Sequence, residues 1–274
     1  MSSISRTLRD YGIYGKKWLG QNFLVDPSAV QKIIAAAELT PNDTVLEIGP
    51  GPGTLTAQIA RRAGRVVAVE VDADVLPALR ETLASFENVT LIHGDILEQD
   101  IATLISPPYK VIANLPYYIT SAVLRHVLET RPRPTTLVIT VQREVAQRIT
   151  AAPGQMSLLG VSVQFYGRPH IVARIPPGAF RPIPKVHSAA VRIDCFDPLP
   201  WNNVDKTLFF RVARAGFGQK RKQIKNALAH GLSLPIDVVE EALAQSGINA
   251  HRRAETLSMD EWAALSRAFK DVQG

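Results

Sequence analysis

The sequence predicts an α/β domain built on a mostly parallel sheet, followed by a smaller all-α domain. Between residues 44 and 140, short runs rich in β-branched residues alternate with stretches of helical periodicity, a pattern typical of a parallel sheet covered by helices. The 274 residues exceed the usual size of one domain, and hydrophobic residues make up 46%. The chain can therefore bury a sizeable core, and this composition excludes a disordered or fibrous protein.

Each predicted element has a local signal. We expect five strands, at 44–48, 65–70, 89–92, 110–113 and 136–141, with helices at 54–62, 73–84, 119–129 and 143–150. An earlier helix begins after Asp26 and runs to about Glu38, because the Asp26 carboxylate can cap free amides and Pro27 needs no N–H at the first position.

Prolines become frequent after Thr150, and two extended runs at 171–175 and 188–193 are expected to finish the sheet as an antiparallel edge pair. Asp197, Pro198 and Pro200 are typical of a linker. We therefore predict a first domain at 1–197, including an N-terminal tail at 1–20, and a helical domain at 198–274. Within the latter, Ser258 and Glu261 form a capping-box signature.

The net charge of the chain indicates what kind of partner it binds. The formal net charge is +6, which suits a polyanion, although a soluble enzyme that happens to be basic is the alternative. Cys195 is the only cysteine, so a disulfide framework is excluded, and we expect a small buried thiol in a reducing, cytoplasmic compartment. The longest uncharged stretch, 149–167, contains too many polar and helix-breaking residues for a membrane span.

The histidines argue against a metal centre. They lie at positions 93, 126, 170, 187, 230 and 251, without H-x-x-x-H or His/Cys spacing. We expect no catalytic metal.

A glycine-rich loop follows the first of the five strands. Gly49, Gly51 and Gly53 alternate between this strand and a helix, where side chains would keep a ligand away from the backbone. Glu70 ends the next strand and can accept hydrogen bonds from ribose hydroxyls. Asp95 follows a third strand and can accept from the amine of adenine. These strand ends predict a Rossmann-like adenosine site, although an ordinary tight turn is the alternative for the glycines alone.

The glycine spacing bears on which adenosine ligand binds. The loop reads G-x-G-x-G rather than the G-x-G-x-x-G of nicotinamide sites, and Pro52 stands where a pyrophosphate needs a free N–H. The phosphate-binding motif G-x-x-x-x-G-K-[ST] does not occur in the sequence. A phosphate-free ligand is favoured, and S-adenosylmethionine is the common one.

The fourth strand leads into Asn114, Leu115, Pro116 and Tyr117, at the sheet edge where such folds place their chemistry. The N6 lone pair of adenine is delocalised, so it attacks a methyl group poorly unless acceptors hold its hydrogens. The Asn114 oxygen and the Leu115 or Pro116 carbonyls are candidate acceptors, and Tyr117 offers a flat face for an extruded base. The alternative is a strand that ends in a tight Asn-Pro turn.

Six blocks in order resemble the ribosomal RNA adenine N6,N6-dimethyltransferases, most closely those of the small ribosomal subunit. The resemblance covers nearly the whole chain, and its blocks are 17–24 (KWLGQNFL), 47–53 (EIGPGPG), 94–95 (GD), 114–117 (NLPY), 180–186 (FRPIPKV) and 253–258 (RAETLS).

The resemblance implies a Rossmann-like S-adenosylmethionine-dependent methyltransferase that dimethylates N6 of two adjacent adenosines in a hairpin loop near the 3′ end of 16S rRNA. It implies that the cofactor is surrounded by Asn22, Leu24, Gly49, Glu70, Asp95 and Asn114. It also implies that Phe180 packs on the target adenine opposite Tyr117. For Phe180 a hydrophobic plug is the alternative, and for Asn22 a turn-forming side chain. We expect a monomer that contributes to small-subunit biogenesis.

A basic run free of acidic residues lies between 211 and 225. Its cations are Arg211, Arg214, Lys220, Arg221, Lys222 and Lys225. Such density favours a phosphate backbone as partner, although a solvated surface is the alternative. The family commonly has two arginines and then a lysine where this chain has Lys220, Arg221 and Lys222, so one planar guanidinium is lost.

Three rival functions stay open. The Asn-Leu-Pro-Tyr segment is similar to the motif of DNA adenine methyltransferases, and a 23S rRNA dimethyltransferase shares the same chemistry. A non-catalytic rRNA-binding assembly factor is the third. The block at 180–186 and the basic helical segment favour the small-subunit enzyme.

Overall fold

The computed structural model of the protein describes residues 11–12 and 20–273, with side chains up to 270. The start of the 17–24 block and almost all of the 1–20 tail lie outside the described residues.

The strands of the described chain form two sheets. The strands are β1 (Phe23–Leu24), β2 (Thr44–Ile48), β3 (Arg65–Glu70), β4 (Val89–His93), β5 (Lys110–Asn114), β6 (Thr136–Gln142), β7 (Gly167–Ile175), β8 (Phe180–Arg181) and β9 (Ser188–Cys195). Seven of them form one sheet in the order β4-β3-β2-β5-β6-β9-β7, while β1 pairs with β8. The five strands predicted between 44 and 141 are confirmed, each to within one residue.

The topology places a crevice beside β2. β2 pairs parallel with β3 on one side and with β5 on the other. β4 extends the sheet beyond β3, and β6 extends it beyond β5, both in parallel. Because the chain reverses its direction of winding at β2, the carboxyl ends of β2 and β5 flank a topological switch point, where open α/β sheets bind ligands. β9 then joins β6 antiparallel, so the late extended runs do finish the sheet.

Helices connect the strands. They are α1 (Pro27–Ala37), α2 (Thr54–Ala60), α3 (Leu76–Leu83), α4 (Ile101–Leu104), α5 (Thr120–Glu129), α6 (Arg143–Ile149), α7 (Leu158–Gln164), α8 (Lys206–Phe217), α9 (Ile224–Leu232), α10 (Ile236–Gln245) and α11 (Met259–Gln273). The predicted Asp26 cap is confirmed, since its carboxylate accepts from Ser28 N at 2.7 Å and Ala29 N at 3.2 Å.

The helix predicted at 73–84 is shorter than expected. Residues Ala73–Val75 form a 3₁₀ turn, and the α-helix begins only at Leu76. Pro77 explains the difference, because a proline is tolerated in the first turn of an α-helix but breaks the hydrogen bonding of its interior. The helices α4 and α7 were not predicted.

The chain divides into two compact units. One comprises residues 1–146 and 168–197, and the other comprises 147–167 and 198–274. The predicted assignment of 147–167 to the first domain is therefore wrong. This segment belongs to the second unit because Phe165 packs against Phe209 at 4.5 Å and Phe210 at 5.0 Å between ring centroids, and its carbonyl accepts the Trp201 Nε1–H at 2.7 Å.

The second unit is held by close helix packing and by a cap. The predicted capping box is confirmed, since Ser258 N donates to Glu261 Oε2 at 2.7 Å and Glu261 N donates to Ser258 Oγ at 3.2 Å. Arg252 binds the same Glu261 carboxylate, which lowers the pKa of Glu261.

Every helix within the described part falls short, in length or in apolar character, of what a membrane span needs.

Gly231 lies at a close contact between α8 and α9. A Cβ at this position would lie 2.7 Å from both Cα and Cβ of Ala215. Alanine usually stabilises a helix relative to glycine by about 1 kcal/mol, but overpacking a closed contact costs about 1–3 kcal/mol. We predict that Gly231→Ala lowers the urea midpoint of unfolding, whereas Gly178→Ala, which meets open space, leaves it unchanged. A stabilised Gly231→Ala protein would contradict the packing described here.

Candidate active site

A cavity opens at the carboxyl edge of the sheet in the first unit, and together with the solvent space at its mouth it measures about 980 Å³. The residues that the sequence predicted around the cofactor and the target base all line it, namely Asn22, Leu24, Gly49, Gly51, Glu70, Asp95, Asn114, Leu115, Pro116, Tyr117 and Phe180.

The glycine loop is fastened to the end of β3. Gly49 N donates to Val69 O at 3.0 Å, and Gly51 N donates to Glu70 Oε2 at 2.9 Å. The other carboxylate oxygen of Glu70 accepts Asp72 N–H at 2.9 Å. Burial raises the pKa of Glu70, and these backbone N–H groups oppose that rise by stabilising the anion. Each oxygen keeps further lone pairs for a ligand hydroxyl.

Two of the loop glycines serve different purposes. Both have left-handed backbone, with φ of +69° at Gly49 and +55° at Gly51. A Cβ at Gly51 would lie 2.9 Å from Phe23 Cδ1, so this glycine is required by the packing of β1. A Cβ at Gly49 would meet only Asn114 O, at 4.0 Å. The open space predicted for ligand approach is therefore found at Gly49.

Asp95 lies beside the end of β3. Gly94 N donates to Glu70 O at 2.9 Å, which brings the residues after β4 next to Glu70. Asp95 Oδ1 accepts Leu97 N–H at 2.9 Å and so caps the 3₁₀ turn Ile96–Glu98. This bond fixes the carboxylate while its second oxygen remains able to accept.

Residues 20–24 reach the cavity through long-range pairing. β1 pairs antiparallel with β8, with Leu24 opposite Phe180, and Gln21 Nε2 donates to Asp72 Oδ2 at 2.8 Å. The sequence did not predict these strands, because two residues carry no periodicity. The resemblance alone indicated that Asn22, Leu24 and Phe180 meet here.

Asn114 is held by this segment. Its Nδ2 donates to Asn22 O at 3.0 Å, so its amide nitrogen is occupied and its oxygen remains to accept hydrogen bonds. The Asn22 side chain donates to Gly20 O at 3.1 Å, which is the turn-forming alternative considered for it. Asn22 thus meets Asn114 through its carbonyl.

The aromatic residues differ in exposure. Tyr117 is half-buried, its hydroxyl lies 2.7 Å from Ser188 Oγ, and burial raises its pKa, so it stays a neutral phenol. Phe180 is only 1% exposed and belongs to the hydrophobic core together with Leu24. Its ring therefore serves as packing, as in the plug alternative, and reaches a ligand only from inside the cavity.

Glu47 lines the cavity, although the sequence analysis gave it no role. Its side chain is 1% exposed, and burial raises its pKa to about 8. Glu47 Oε2 has no hydrogen-bond partner. The available signal was a carboxyl group within an otherwise apolar strand, two residues before the glycine loop.

The basic run lies in the second unit. Arg211 and Arg214 are exposed on α8, and Lys220, Arg221 and Lys222 are exposed in the turn between α8 and α9. Lys225 differs, because it is half-buried and its Nζ lies 2.6 Å from Glu240 Oε1. The charge of Lys225 is therefore matched within the unit, and its contact with phosphate stays a prediction.

Two further sequence expectations concern reactive groups. Burial raises the pKa of the Cys195 thiol to about 12, which suits a packed side chain rather than a nucleophile. Among the described residues, no group of three or more His, Cys, Asp and Glu side chains is arranged to hold a metal ion.

Comparison with known families identifies the chain. Residues 13–271 match the family of ribosomal RNA adenine dimethylases. The chain belongs to this family. It is thus a methyltransferase, as the six blocks predicted, and the predicted Rossmann-like α/β fold is confirmed.

Relatives in the family resemble the chain over nearly its full length. A protein of Dehalococcoides mccartyi named ribosomal RNA small subunit methyltransferase A is 46% identical, covering 97% of this chain and 92% of the relative. The protein of that name from Moorella thermoacetica is 45% identical, covering 96% and 95%.

Solved structures share the fold. A dimethyladenosine transferase from Plasmodium falciparum superposes with a TM-score of 0.80 at 23% identity, covering 92% of this chain and 98% of that one. The 23S rRNA methyltransferase ErmE superposes with a TM-score of 0.72 at 28% identity, covering 91% and 100%.

The buried Glu47 carboxyl predicts a pH-dependent stability. Its pKa lies at about 8 in the folded protein against an ordinary 4.5, so the folded state binds more protons and loses stability as pH rises through this window. We predict that Glu47→Gln gains roughly 2–4 kcal/mol relative to wild type between pH 5 and pH 9 in urea unfolding. Glu98→Gln, at an exposed carboxyl, is the matched control. Parallel pH profiles for wild type and Glu47→Gln would contradict the assignment.

Proposed function

We propose that the protein is a 16S rRNA (adenine-N6,N6)-dimethyltransferase that uses S-adenosylmethionine and dimethylates two adjacent adenosines in a hairpin loop near the 3′ end of that RNA. Identities of 45–46% to proteins named small subunit methyltransferases support the choice of ribosomal subunit. The 28% identity to a 23S rRNA methyltransferase is lower, which disfavours the large-subunit alternative.

The cavity suits a nucleoside donor. The Glu70 carboxylate, fixed by Gly51 N–H and Asp72 N–H, would accept from the ribose hydroxyls. Asp95, fixed by Leu97 N–H, would accept from the adenine amine. The space at Gly49 lets a ligand approach the backbone, and Asn22, Leu24, Gly51 and Asn114 complete the surroundings. When bound, the donor supplies a methyl group on an electrophilic sulfonium.

The orientation of Asn114 is the observation that carries the proposal. Asn22 O holds the amide nitrogen, so the Asn114 oxygen is left to accept a hydrogen from N6 of the target adenine. The second hydrogen on N6 needs another acceptor, which a backbone carbonyl can supply. Pro116 O already accepts from Ile119 N at 3.3 Å and Thr120 Oγ1 at 3.4 Å, which favours the Leu115 carbonyl. Two such acceptors draw the N6 lone pair out of conjugation.

The target adenine has to leave its stack to reach Asn114. Tyr117, steadied by Ser188, offers the face on which the extruded base stacks. Phe180 lines the cavity from within the core, and we propose that it packs on the other face of this base. Catalysis then depends on alignment and on exclusion of water, since the donor is already electrophilic.

The second unit is proposed to hold the RNA. Five exposed cations on α8 and the turn after it, Arg211, Arg214, Lys220, Arg221 and Lys222, suit a phosphate backbone. We propose that the protein meets the small subunit or its precursor as a monomer in the cytoplasm. The single cysteine and the rRNA substrate support this location.

Replacing Asn114 tests the catalytic assignment. We predict that Asn114→Ala lowers the rate of methyl transfer to unmethylated small subunits by about 10²–10³-fold, because one positioned acceptor is lost from the transition state. Asn202→Ala, at an exposed turn, is the control. Mass mapping of the RNA shows which nucleotides carry methyl groups, with 23S rRNA and DNA as competing substrates.

Each rival function has its own outcome in this experiment. Equal incorporation by the Asn114→Ala and wild-type proteins would contradict the assigned role. Modification of 23S rRNA or DNA in preference to small subunits would support those rivals. Failure of the wild-type protein to methylate any of these substrates would support an assembly factor.

Salt dependence tests the basic turn. We predict that changing Lys220, Arg221 and Lys222 together to Gln reduces the slope of log affinity against log salt by about 2–3 units, because about three phosphate contacts are lost. Lys225→Gln, whose cation pairs with Glu240, should change the slope by less than 1 unit by the same reasoning. An unchanged slope in the triple variant would exclude the turn from the RNA contact.

A further inference from the structure

Tyr118 is an exposed aromatic residue that the proposed chemistry leaves unused. Seven large hydrophobic side chains of the described chain are exposed, and Tyr118 is the most exposed of them, at 63%. Of these seven, only Tyr118 and Val71 line the cavity, and of these two only Tyr118 is aromatic. Single exposed apolar residues are ordinary on protein surfaces, but this ring lies at the mouth of the cavity where methyl transfer is proposed.

Tyr118 is held in place by its own turn and by Gly20. Pro116 O accepts from Ile119 N at 3.3 Å, which closes a backbone turn around Tyr118. A Cβ at Gly20 would lie 3.1 Å from Tyr118 Cδ1, so the ring rests against the backbone of this glycine. Gly20 has left-handed backbone with φ of +57°, which a larger residue adopts only with strain. A ring that is already ordered loses little conformational entropy when a ligand binds.

The charges of the cavity favour a base over a phosphate as the group that meets Tyr118. The described lining includes the carboxyl groups of Glu70 and Asp95, but no Lys, Arg or His side chain. A phosphate at Tyr118 would therefore meet no cation of this lining, although phosphate binding depends on such cations. A nucleobase needs only a flat aromatic face on which to stack.

The connectivity of RNA places a second base at the cavity mouth. An adenine that enters the cavity stays joined to its neighbours through the sugar-phosphate backbone, so a neighbouring base has to lie at the opening. Tyr117 is half-buried and its hydroxyl lies 2.7 Å from Ser188 Oγ, whereas Tyr118 is exposed. Consecutive Cα atoms are about 3.8 Å apart, so these two rings are within reach of two adjacent nucleotides.

We propose that Tyr118 is a second stacking residue, which binds the base next to the target adenine while that adenine occupies the cavity. This inference rests on the proposed function, in that an extruded adenine stacks on Tyr117. The stack between the target and its neighbour has to break when the target is extruded. Stacking of the neighbour on Tyr118 replaces part of the lost contact and so lowers the cost of extrusion.

Variants of Tyr118 test the stacking face. We expect Tyr118→Ala to lower kcat/KM for methylation of small subunits by about 5–100-fold, mainly through KM, because stacking of one bound base is lost. Tyr118→Leu, which is apolar but not flat, should lose most of this factor, whereas Tyr118→Phe should stay within about twofold of wild type. Ile171→Ala, at an exposed residue of β7 outside the cavity lining, is the matched control.

Abasic nucleotides identify the base that Tyr118 binds. Small subunits are reconstituted with 16S rRNA that carries an abasic nucleotide immediately 5′ or 3′ of one target adenosine, and methylation of that target is followed by mass mapping. On the side that Tyr118 contacts, the abasic nucleotide should lower the wild-type rate by about the factor lost in Tyr118→Ala, and should lower the Tyr118→Ala rate no further. On the other side, the abasic nucleotide should affect both proteins alike.

The proposal and the function on which it rests fail in different ways. If wild type does not methylate small subunits, the proposed function itself is contradicted. If wild type is active and Tyr118→Ala matches it, or if the effects of Tyr118→Ala and of the abasic nucleotide multiply on both sides, Tyr118 has no such role although the function stands. The affinity for S-adenosylmethionine should be the same in Tyr118→Ala and wild type. A loss of donor affinity as large as the loss of kcat/KM would assign Tyr118 to the donor and overturn the proposal.

Discussion

The parallel pairing of β2 with both of its neighbours is the constraint on which the site depends. Ile48 lies opposite Val69 of β3 and opposite Ala113 of β5, so three strands end at one level and their following residues meet. The Gly51 to Glu70 hydrogen bond then fixes the loop after β2 to the end of β3. A slip of one residue in either pairing would reverse the side chains of that strand and remove its polar group from the cavity. The register of β2 with its two neighbours thus determines which polar side chains meet in the cavity.

A second, long-range layer completes the cavity. The two-residue pair of β1 and β8 brings residues that are far apart in sequence to the same edge, and Asn22 O in turn orients the Asn114 amide. The segment that begins at Asn114 is therefore supported by a part of the chain that is distant in sequence. The position of β1 also explains why Gly51 tolerates no side chain, since Phe23 of β1 occupies that space. Substitutions in β1 are therefore expected to change the orientation of the Asn114 side chain.

Local signals predicted what depends on local chemistry. The strands at 44–48 and 65–70, the Asp26 cap and the capping box at Ser258 agree with the structure because burial periodicity and capping are encoded within a few residues. The pairing of β1 with β8 and the transfer of 147–167 to the second unit depend on partners remote in sequence. The pairing of Lys225 with Glu240 was missed for the same reason, and the unusual state of Glu47 follows only from its tertiary burial.

A crystal structure with S-adenosylhomocysteine bound tests the central claim most directly. We expect the ribose hydroxyls to lie on the Glu70 carboxylate and the adenine amine on Asp95, with the sulfur directed toward Asn114. A nucleoside bound away from these three side chains would contradict it.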